Sequence, residues 1–298
     1  MKDPLGDTKR GDLRKTPAAR NAVNTHSLTD REYDDFRRFL EQASGIVLGD
    51  NKQYLVTNRL TRLMGEHGIG SFAEIMQRIR SDVRLRNRIM DAMTTNETSW
   101  FRDNYPFDIF KELFLPEFAQ RQARQVRVWS AASSTGQEAY SLSMVASEYL
   151  KSRPGSLPAG ALQILGTDIS PTVLEQARSG FYEGVAITRG LSEERKRRFF
   201  TPRDGGWQVN DEERSRVNFR ELNLMQSFVT LGRFDVIYCR NVLIYFSAEL
   251  KRDILARMAK ALNPGGYLVL GGSESITNYS SDYELVRWHS GVVYRLNR

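Results

Sequence analysis

Residues 126–141 read VRVWSAASSTGQEAYS and combine an apolar run, a turn of small residues and the start of an amphipathic segment. The run VRVWS predicts a short strand, and the apolar spacing that begins at Gln137 is typical of a helix. Gly136 is the single glycine of the turn, so the stretch matches neither GxGxxG nor a phosphate-binding GxxxxGKS/T loop. It therefore predicts an α/β unit whose small turn residues let a ligand approach the backbone closely.

Further strands and helices alternate after this unit. We predict helices at Pro171–Ser179, capped by Ser170, and at Ala248–Leu262, with strands at 162–166, 217–220, 234–239 and 266–271. This alternation favours an α/β fold with a parallel, doubly wound, Rossmann-like sheet. Residues 199–219 predict an inserted antiparallel β-hairpin, with its turn at Asp204-Gly205-Gly206.

The region before the sheet divides into a tail and a helical domain. Residues 1–27 are polar and basic without apolar periodicity, which predicts a disordered tail. From 28 to 95, four apolar patterns of helical spacing predict an all-helical domain, in which Gly45 ends the first helix. Residues 96–298 would then form the α/β domain.

Composition excludes several classes of protein. The chain has 298 residues, of which 40% are hydrophobic, and a formal net charge of +7. No window has the roughly 18–20 apolar residues of a membrane span, so we expect a cytoplasmic protein without membrane insertion. One cysteine and three scattered histidines predict neither a disulfide framework nor a metal site. The positive charge favours an acidic partner.

Polar side chains follow the predicted strands, at the sheet edge where α/β proteins bind ligands. Glu138 lies where a pyrophosphate would sit, and its carboxylate attracts an ammonium group, although it could instead stabilise the helix dipole. Asp168 can accept both hydroxyls of a ribose, since Ser170 already caps the next helix. Asn223 has the donor and acceptor that suit an adenine edge, or is simply a turn residue.

Residues that suit an ammonium group, a ribose and an adenine together indicate S-adenosylmethionine as the ligand, with S-adenosylhomocysteine as product. A buried strand that ends in Cys239-Arg240-Asn241 places further polar groups over the same pocket. The sequence lacks features that other classes of methyltransferase need, and this indicates which group accepts the methyl. Methylation of cytosine at carbon 5 needs a cysteine nucleophile, but the lone cysteine of this chain ends a core strand. Methylation of base amino groups commonly uses an Asn/Asp-Pro-Pro-aromatic loop, and this chain has CRNV at that place. A carboxylate acceptor fits better, because it is already ionised at neutral pH and needs no general base.

Five segments resemble those of the chemotaxis receptor methyltransferases, the CheR-type protein-glutamate O-methyltransferases. They are TTNETSWFRD (94–103), RVWSAASSTGQEAYS (127–141), GTDISPTVLEQARSGFY (166–182), FDVIYCRNVLIYF (234–246) and NPGGYLVLGGSES (263–275). The resemblance implies a helical domain, a Rossmann-like methyltransferase domain and a small antiparallel insertion. Where the family usually reads GEEPYS, this chain has GQEAYS (136–141), which keeps the second acid.

The resemblance also implies roles for individual residues. Cofactor contacts would come from Asn96, Thr98, Arg102, Glu138, Asp168, Asn223, Leu224, Arg240 and Asn241. Arg102 and Tyr245 would orient the acceptor carboxylate, as the catalytic pair. Lys52, Arg59 and Arg62 form one stripe of the second helix. The stripe alone is more typical of a solvated face, and it is the resemblance that implies a role in binding the receptor.

The implied partner is the cytoplasmic helical region of methyl-accepting chemoreceptors. Because the hairpin is shorter than in tether-binding members, we expect no requirement for a receptor C-terminal tether. We also expect a monomer that binds no nucleic acid. Two alternatives remain open at this point: an RNA or DNA methyltransferase, favoured only by the basic charge, and a non-catalytic cofactor-binding signalling protein.

Overall fold

The N-terminal domain is a bundle of four helices, as predicted. The computed structural model describes residues 28–289 and 291–297, so the predicted tail, residues 1–27, lies outside the described residues. The helices are α1 (Asp30–Ser44), α2 (Gln53–Glu66), α3 (Phe72–Arg78) and α4 (Val83–Met93). Thr29 caps α1 in a capping box with Glu32, and Gly45 ends it with a φ of 78°. Apolar side chains from all four helices form a separate core.

The second domain is built on a seven-stranded sheet with the order β6-β2-β1-β7-β8-β10-β9. The ten strands of the protein are β1 (Val126–Ala131), β2 (Leu162–Asp168), β3 (Phe181–Tyr182), β4 (Phe200–Arg203), β5 (Gly206–Val209), β6 (Val217–Glu221), β7 (Phe234–Cys239), β8 (Leu262–Leu270), β9 (Tyr283–Trp288) and β10 (Gly291–Leu296). From β6 to β8 all neighbours are parallel, which confirms the Rossmann-like fold. The antiparallel pair β9 and β10, which extends the sheet, was not predicted.

Helices cover both faces of this sheet. They are α5 (Tyr105–Ile109), a π-helical turn (Phe110–Phe114), α6 (Leu115–Gln120), α7 (Gln137–Ser152), α8 (Pro171–Ser179), α9 (Gly184–Thr188), α10 (Glu193–Phe199), α11 (Asp211–Ser215) and α12 (Ala248–Ala261), with 3₁₀ turns at Val229–Leu231 and Leu243–Tyr245. Successive strand residues point to opposite faces. Val128 packs with α5–α7, whereas Trp129 packs with α12. No helix of the described chain is long and apolar enough to cross a membrane.

The inserted subdomain differs from the predicted hairpin. Its three-stranded sheet has the order β3-β5-β4, and the hairpin ends at Val209 instead of continuing to residue 219. Residues 211–215 form α11, and β6 joins the main sheet, where Val217 pairs with Ile164. The apolar alternation of residues 217–219 arises from burial against β2, not from a second hairpin strand.

Two contacts fix the helical domain over the carboxyl edge of the sheet. The Val47 amide donates to the Tyr245 carbonyl at 2.9 Å. The Asn223 side-chain amide donates to the Ala43 carbonyl, at the end of α1, at 2.8 Å. The residues between Thr94 and Asn104 connect the domains without helix or strand. A cavity therefore lies between the domains, with a wall from each.

Candidate functional site in the cavity between the domains

The cavity lies at the carboxyl ends of β1, β2, β6 and β7, where the strand order reverses. β1 has β2 on one side and β7 on the other, which makes this crevice the expected ligand site of the fold. All the cofactor and catalytic residues predicted from the sequence line it: Asn96, Thr98, Arg102, Glu138, Asp168, Asn223, Leu224, Arg240, Asn241 and Tyr245. The structure thus brings together side chains that are widely separated in the sequence.

The turn after β1 approaches its neighbours too closely for large residues. Ala132 and Ser134 have φ values of 56° and 50°, in the left-handed region. Gly136 has a φ of 92°, and a Cβ atom there would lie 3.0 Å from both the Ala177 Cβ and the Phe219 Cζ. Only glycine meets both constraints. Packing and backbone conformation therefore require glycine at position 136, and the turn residues Ala132, Ser133 and Ser134 line the cavity.

An ion cluster around the buried Arg240 side chain joins three loops. Arg240 and Glu138 line the cavity, whereas the Asp103 side chain is partly exposed. The Arg240 side chain is 2% exposed and donates to the Glu138 carboxylate at 2.9 Å and the Asp103 carboxylate at 2.7 Å. Ser130 donates to the other Glu138 oxygen at 2.7 Å. The cluster holds two carboxylates and one guanidinium, so its formal charge is negative and it can accept an ammonium group. The Arg240 Nε is buried without a hydrogen-bond partner in the described chain, so it is left to pair with an acceptor.

Asp168 is held by backbone amides at the end of β2. One carboxylate oxygen accepts from the Ser134 amide at 2.9 Å and the other from the Ser170 amide at 3.0 Å. Burial raises the pKa of Asp168, while these amide hydrogen bonds act in the opposite direction. The Ser170 side chain caps α8, as predicted. Each oxygen of Asp168 retains a lone pair that a hydroxyl of a ligand can use.

The side-chain amide of Asn223 is already engaged. It donates to the Ala43 carbonyl and accepts from the Met225 amide at 3.0 Å, so only one N–H and one lone pair of the amide remain for an adenine edge, the role suggested by its donor and acceptor. The sequence could not show this, because the end of α1 lies beside Asn223 only after the domains pack. Leu222 and Leu224 are buried beside it and give this part of the cavity an apolar wall.

Glu274 is a site residue that the sequence analysis missed. Its carboxylate accepts from the amides of Asn241 at 2.7 Å, Gly271 at 2.9 Å and Ile244 at 3.3 Å. It thereby fixes the loop that presents Asn241, with a φ of 57°, and Tyr245 to the cavity. The sequence feature that could have identified Glu274 was a single acidic residue shortly after a predicted strand, in GGSES (271–275).

Cys239 is buried at the end of β7, and this burial raises its pKa well above the ordinary value. A thiol in this state does not serve as a nucleophile. In the described part of the chain, no group of three or more potential ligands is arranged to hold a metal ion.

Two family profiles together match most of the chain. Residues 31–94 match the family described as CheR methyltransferase, all-alpha domain, and residues 96–292 match CheR methyltransferase, SAM binding domain. The chain belongs to the CheR methyltransferase family. It therefore has S-adenosylmethionine as its cofactor and acts as a methyltransferase in chemotaxis.

Curated relatives of the CheR family are similar over nearly their whole length. The chain is 51% identical to chemotaxis protein methyltransferase 1 of Pseudomonas aeruginosa, over 90% of this chain and 99% of the relative. It is 50% identical to chemotaxis protein methyltransferase Cher2 of Pseudomonas putida, over 89% and 97%. It is 33% identical to the chemotaxis protein methyltransferase of Salmonella typhimurium, over 91% and 92%.

The cavity of this CheR protein fits the cofactor. The negative ion cluster suits the methionyl ammonium, and the unpaired Arg240 Nε suits the methionyl carboxylate. Asp168 suits the ribose hydroxyls. The apolar wall at Leu222 and Leu224 suits the adenine ring.

The three cations of the basic stripe on α2 differ in their exposure and in their contacts. Arg59 lines the cavity and donates to the Met93 carbonyl at 2.6 Å, the Thr94 carbonyl at 3.2 Å and the Thr95 hydroxyl at 3.1 Å. It is thus part of the cavity wall, not a free docking residue as the resemblance implied. Lys52 is exposed, and Arg62 is 89% exposed and pairs with Glu66.

The role of Asp168 can be tested with Asp168→Ala. The variant loses charge-assisted hydrogen bonds of about 1.5–3 kcal/mol, so we expect S-adenosylhomocysteine affinity to fall about 10- to 150-fold. Isothermal titration calorimetry measures this. Asp211→Ala, which removes a carboxylate that is 98% exposed, is the matched control. Unchanged binding in Asp168→Ala would remove Asp168 from the cofactor site.

Proposed function

We propose that this protein is a protein-glutamate O-methyltransferase that acts on the cytoplasmic helices of chemoreceptors. The observation that carries the proposal is the shared cavity. One wall is the cofactor edge of the sheet, and the other includes Leu55 and Arg59 on the basic face of α2. An acidic helix that docks on this face would present a carboxylate to the cofactor.

The cofactor contacts follow from the contents of the cavity. Glu138, together with Asp103, would hold the methionyl ammonium, and Asp168 the ribose hydroxyls. Asn96, Thr98 and Arg102 would cover the cofactor from the segment between the domains, and Asn241 from the β7 loop. When bound, S-adenosylmethionine supplies a methyl group on a sulfonium, which a carboxylate oxygen displaces in line.

The protein contributes alignment and exclusion of water. The acceptor glutamate is already ionised at neutral pH, so no residue has to remove a proton. Arg102 can bind its carboxylate, and Tyr245 can fix its orientation from the opposite loop. Alignment of this kind can contribute about 7–11 kcal/mol to the reduction of the barrier. The opposite charges of carboxylate and sulfonium cancel along the reaction, which a dry cavity favours.

Methyl transfer to receptor fragments tests this proposal directly. Labelled methyl groups should appear on glutamates of a receptor cytoplasmic fragment as esters that dilute base removes. Base-stable label on RNA or DNA would instead support a nucleic-acid methyltransferase. Cofactor binding without transfer to any acceptor would support a signalling protein.

Catalysis without a general base predicts a simple pH profile. At saturating concentrations of both substrates, kcat should fall at acid pH as the acceptor glutamate protonates, and should stay flat through the neutral range. Of the described histidines, neither His67 nor His289 lines the cavity. A stopped assay across pH 4.5–9 measures the profile. A rise centred near pH 6.5, the usual pKa of histidine, would contradict the mechanism.

The receptor is proposed to dock through the exposed cations of α2. One face of α2 carries Lys52, Leu55, Arg59 and Arg62. The exposed residues at its two ends, Lys52 and Arg62, lie about 15 Å apart along the helix axis. Arg59 in the middle faces the cavity. We therefore propose that the exposed ends have the docking role that the resemblance implied for all three cations.

Charge reversal separates docking from cofactor binding. Lys52→Glu with Arg62→Glu should raise the KM for receptor about tenfold or more while leaving S-adenosylhomocysteine affinity within twofold. Added salt should weaken the unaltered protein in the same direction. Arg38→Glu, on the exposed face of α1, with Arg80→Glu, in the exposed turn after α3, is the matched control. An equal rise of KM in that control would show an effect of net charge alone.

The inserted sheet offers a poor edge for a peptide that adds as a strand. Its central strand, β5, is paired on both sides. One free edge is β4, a four-residue strand in which Pro202 has no amide donor, and the other is β3, with two residues. We infer that this protein does not depend on a receptor C-terminal tether.

Peptide titration tests this inference. A peptide with the last residues of a tether-bearing receptor should show no binding at micromolar concentration by fluorescence anisotropy. The same receptor fragment with and without its tail should be methylated at equal rates. Micromolar binding that is lost on shortening the β4–β5 turn would show that the tether is used.

A further inference from the structure

The inserted subdomain, residues 181–209, consists of β3, α9, α10, β4 and β5. It contacts the inter-domain segment 96–103, which lies next to the cofactor site. Trp100 in this segment is 1% exposed, and its Nε1 donates to the Ala186 carbonyl at 2.8 Å. The Trp100 amide donates to the Arg189 carbonyl at 3.1 Å. The indole packs edge-on against Tyr182 and Phe200, with centroid distances of 4.9 and 5.1 Å. The insertion therefore holds this tryptophan by its main chain, its side-chain nitrogen and its ring.

The segment has an unfavourable backbone that needs such support. Phe101, Asp103 and Asn104 have φ values of 49°, 67° and 51°. A large non-glycine residue with positive φ persists only where its surroundings enforce it. On the cavity side, Arg240 bonds to the Arg102 carbonyl and to Asp103. On the opposite side, the support comes from the insertion.

Gly190 shows how close this contact is. It has a φ of 85°, and a Cβ atom there would lie 2.1 Å from the Trp100 carbonyl oxygen. Beside it, Arg189 pairs with Glu97 at 2.5 Å across the same junction. Both side chains of that pair are more than half exposed, so the pair itself contributes little. The junction depends on the buried tryptophan and the glycine that accommodates it.

We propose that the inserted subdomain positions the cofactor-covering segment, with Trp100 and Gly190 as the positioning residues. Through this junction the insertion sets the placement of Asn96, Thr98 and Arg102 in the cavity. This gives the insertion a function that requires no bound tether. The kinetic part of the proposal rests on the proposed methyl transfer, whereas the cofactor-binding part does not.

A pair of glycine variants tests the junction. Gly205, at the hairpin tip of the same subdomain, has a φ of 80° and nothing closer to an added Cβ than the Glu183 Oε2 at 4.0 Å. Gly190→Ala and Gly205→Ala therefore carry the same backbone penalty, and only the first displaces the segment. We expect Gly190→Ala to weaken S-adenosylhomocysteine binding and lower kcat by about tenfold or more, with the KM for receptor within twofold. Gly205→Ala should leave all three within twofold.

A pair of tryptophan variants keeps the proposal testable if Gly190→Ala does not fold. Trp100→Phe keeps an aromatic ring but leaves the Ala186 carbonyl unpaired, so S-adenosylhomocysteine affinity and kcat should each fall about five- to tenfold. Trp207→Phe is the same change on β5 of the same subdomain, where the Lys196 ammonium lies 4.6 Å from the centre of a partly buried ring, and should have no such effect.

The outcomes separate positioning from simple stabilisation. If Gly190→Ala and Trp100→Phe lower the melting temperature but leave S-adenosylhomocysteine affinity and kcat at the levels of their controls, the junction is only structural and the proposal is wrong. If no receptor fragment is methylated by any variant, the proposed substrate is wrong. Calorimetry with S-adenosylhomocysteine then still decides the positioning role.

Discussion

A buried guanidinium at the end of β7 is the constraint around which this site is arranged. Taking the Arg240 charge out of water costs several kcal/mol unless carboxylates and carbonyls surround it. Glu138 at the start of α7, Asp103 and the Arg102 carbonyl meet this need. Three elements that are far apart in the chain must therefore converge at one point. The same convergence leaves a surplus of negative charge, which suits a cationic cofactor.

Local strain accompanies this convergence. Six of the ten non-glycine residues with positive φ in the described chain lie in the three segments that meet at the cavity: Phe101, Asp103, Asn104, Ala132, Ser134 and Asn241. Such conformations persist where neighbouring groups over-determine them. Here those groups are Arg240, Asp168, Glu274 and the inserted subdomain. The site combines a rigid sheet edge with loops that depend on their neighbours for their shape.

The helical domain completes the cavity as well as bearing the proposed docking surface. Its chain crosses the β7 loop at Val47 and Tyr245, and Arg59 donates to the Thr95 hydroxyl at the start of the inter-domain connection. One basic face of α2 therefore has two tasks. Its exposed ends can meet a partner, while its centre supports the residues that cover the cofactor. A receptor that docked on this face would approach the cavity that these residues line.

The sequence by itself determined the elements that short-range rules govern. The helical bundle, the strand–turn–helix unit at residues 126–141, the Ser170 cap and the parallel order of the central strands follow from periodicity, capping and alternation, which act over a few residues. The site residues that follow strands were also predictable, since parallel strands place their carboxyl ends at one edge. Only the tertiary structure decided which of these groups are free. The Asn223 amide is engaged by α1, Arg59 by Thr95 of the inter-domain connection and Arg240 by two distant acids, while Glu274 accepts from Asn241 and Ile244, and Trp100 donates to Ala186, each at least 30 residues away in the sequence. A sequence shows the type of each group, but the packing of elements distant along the chain determines what remains for a ligand to bind.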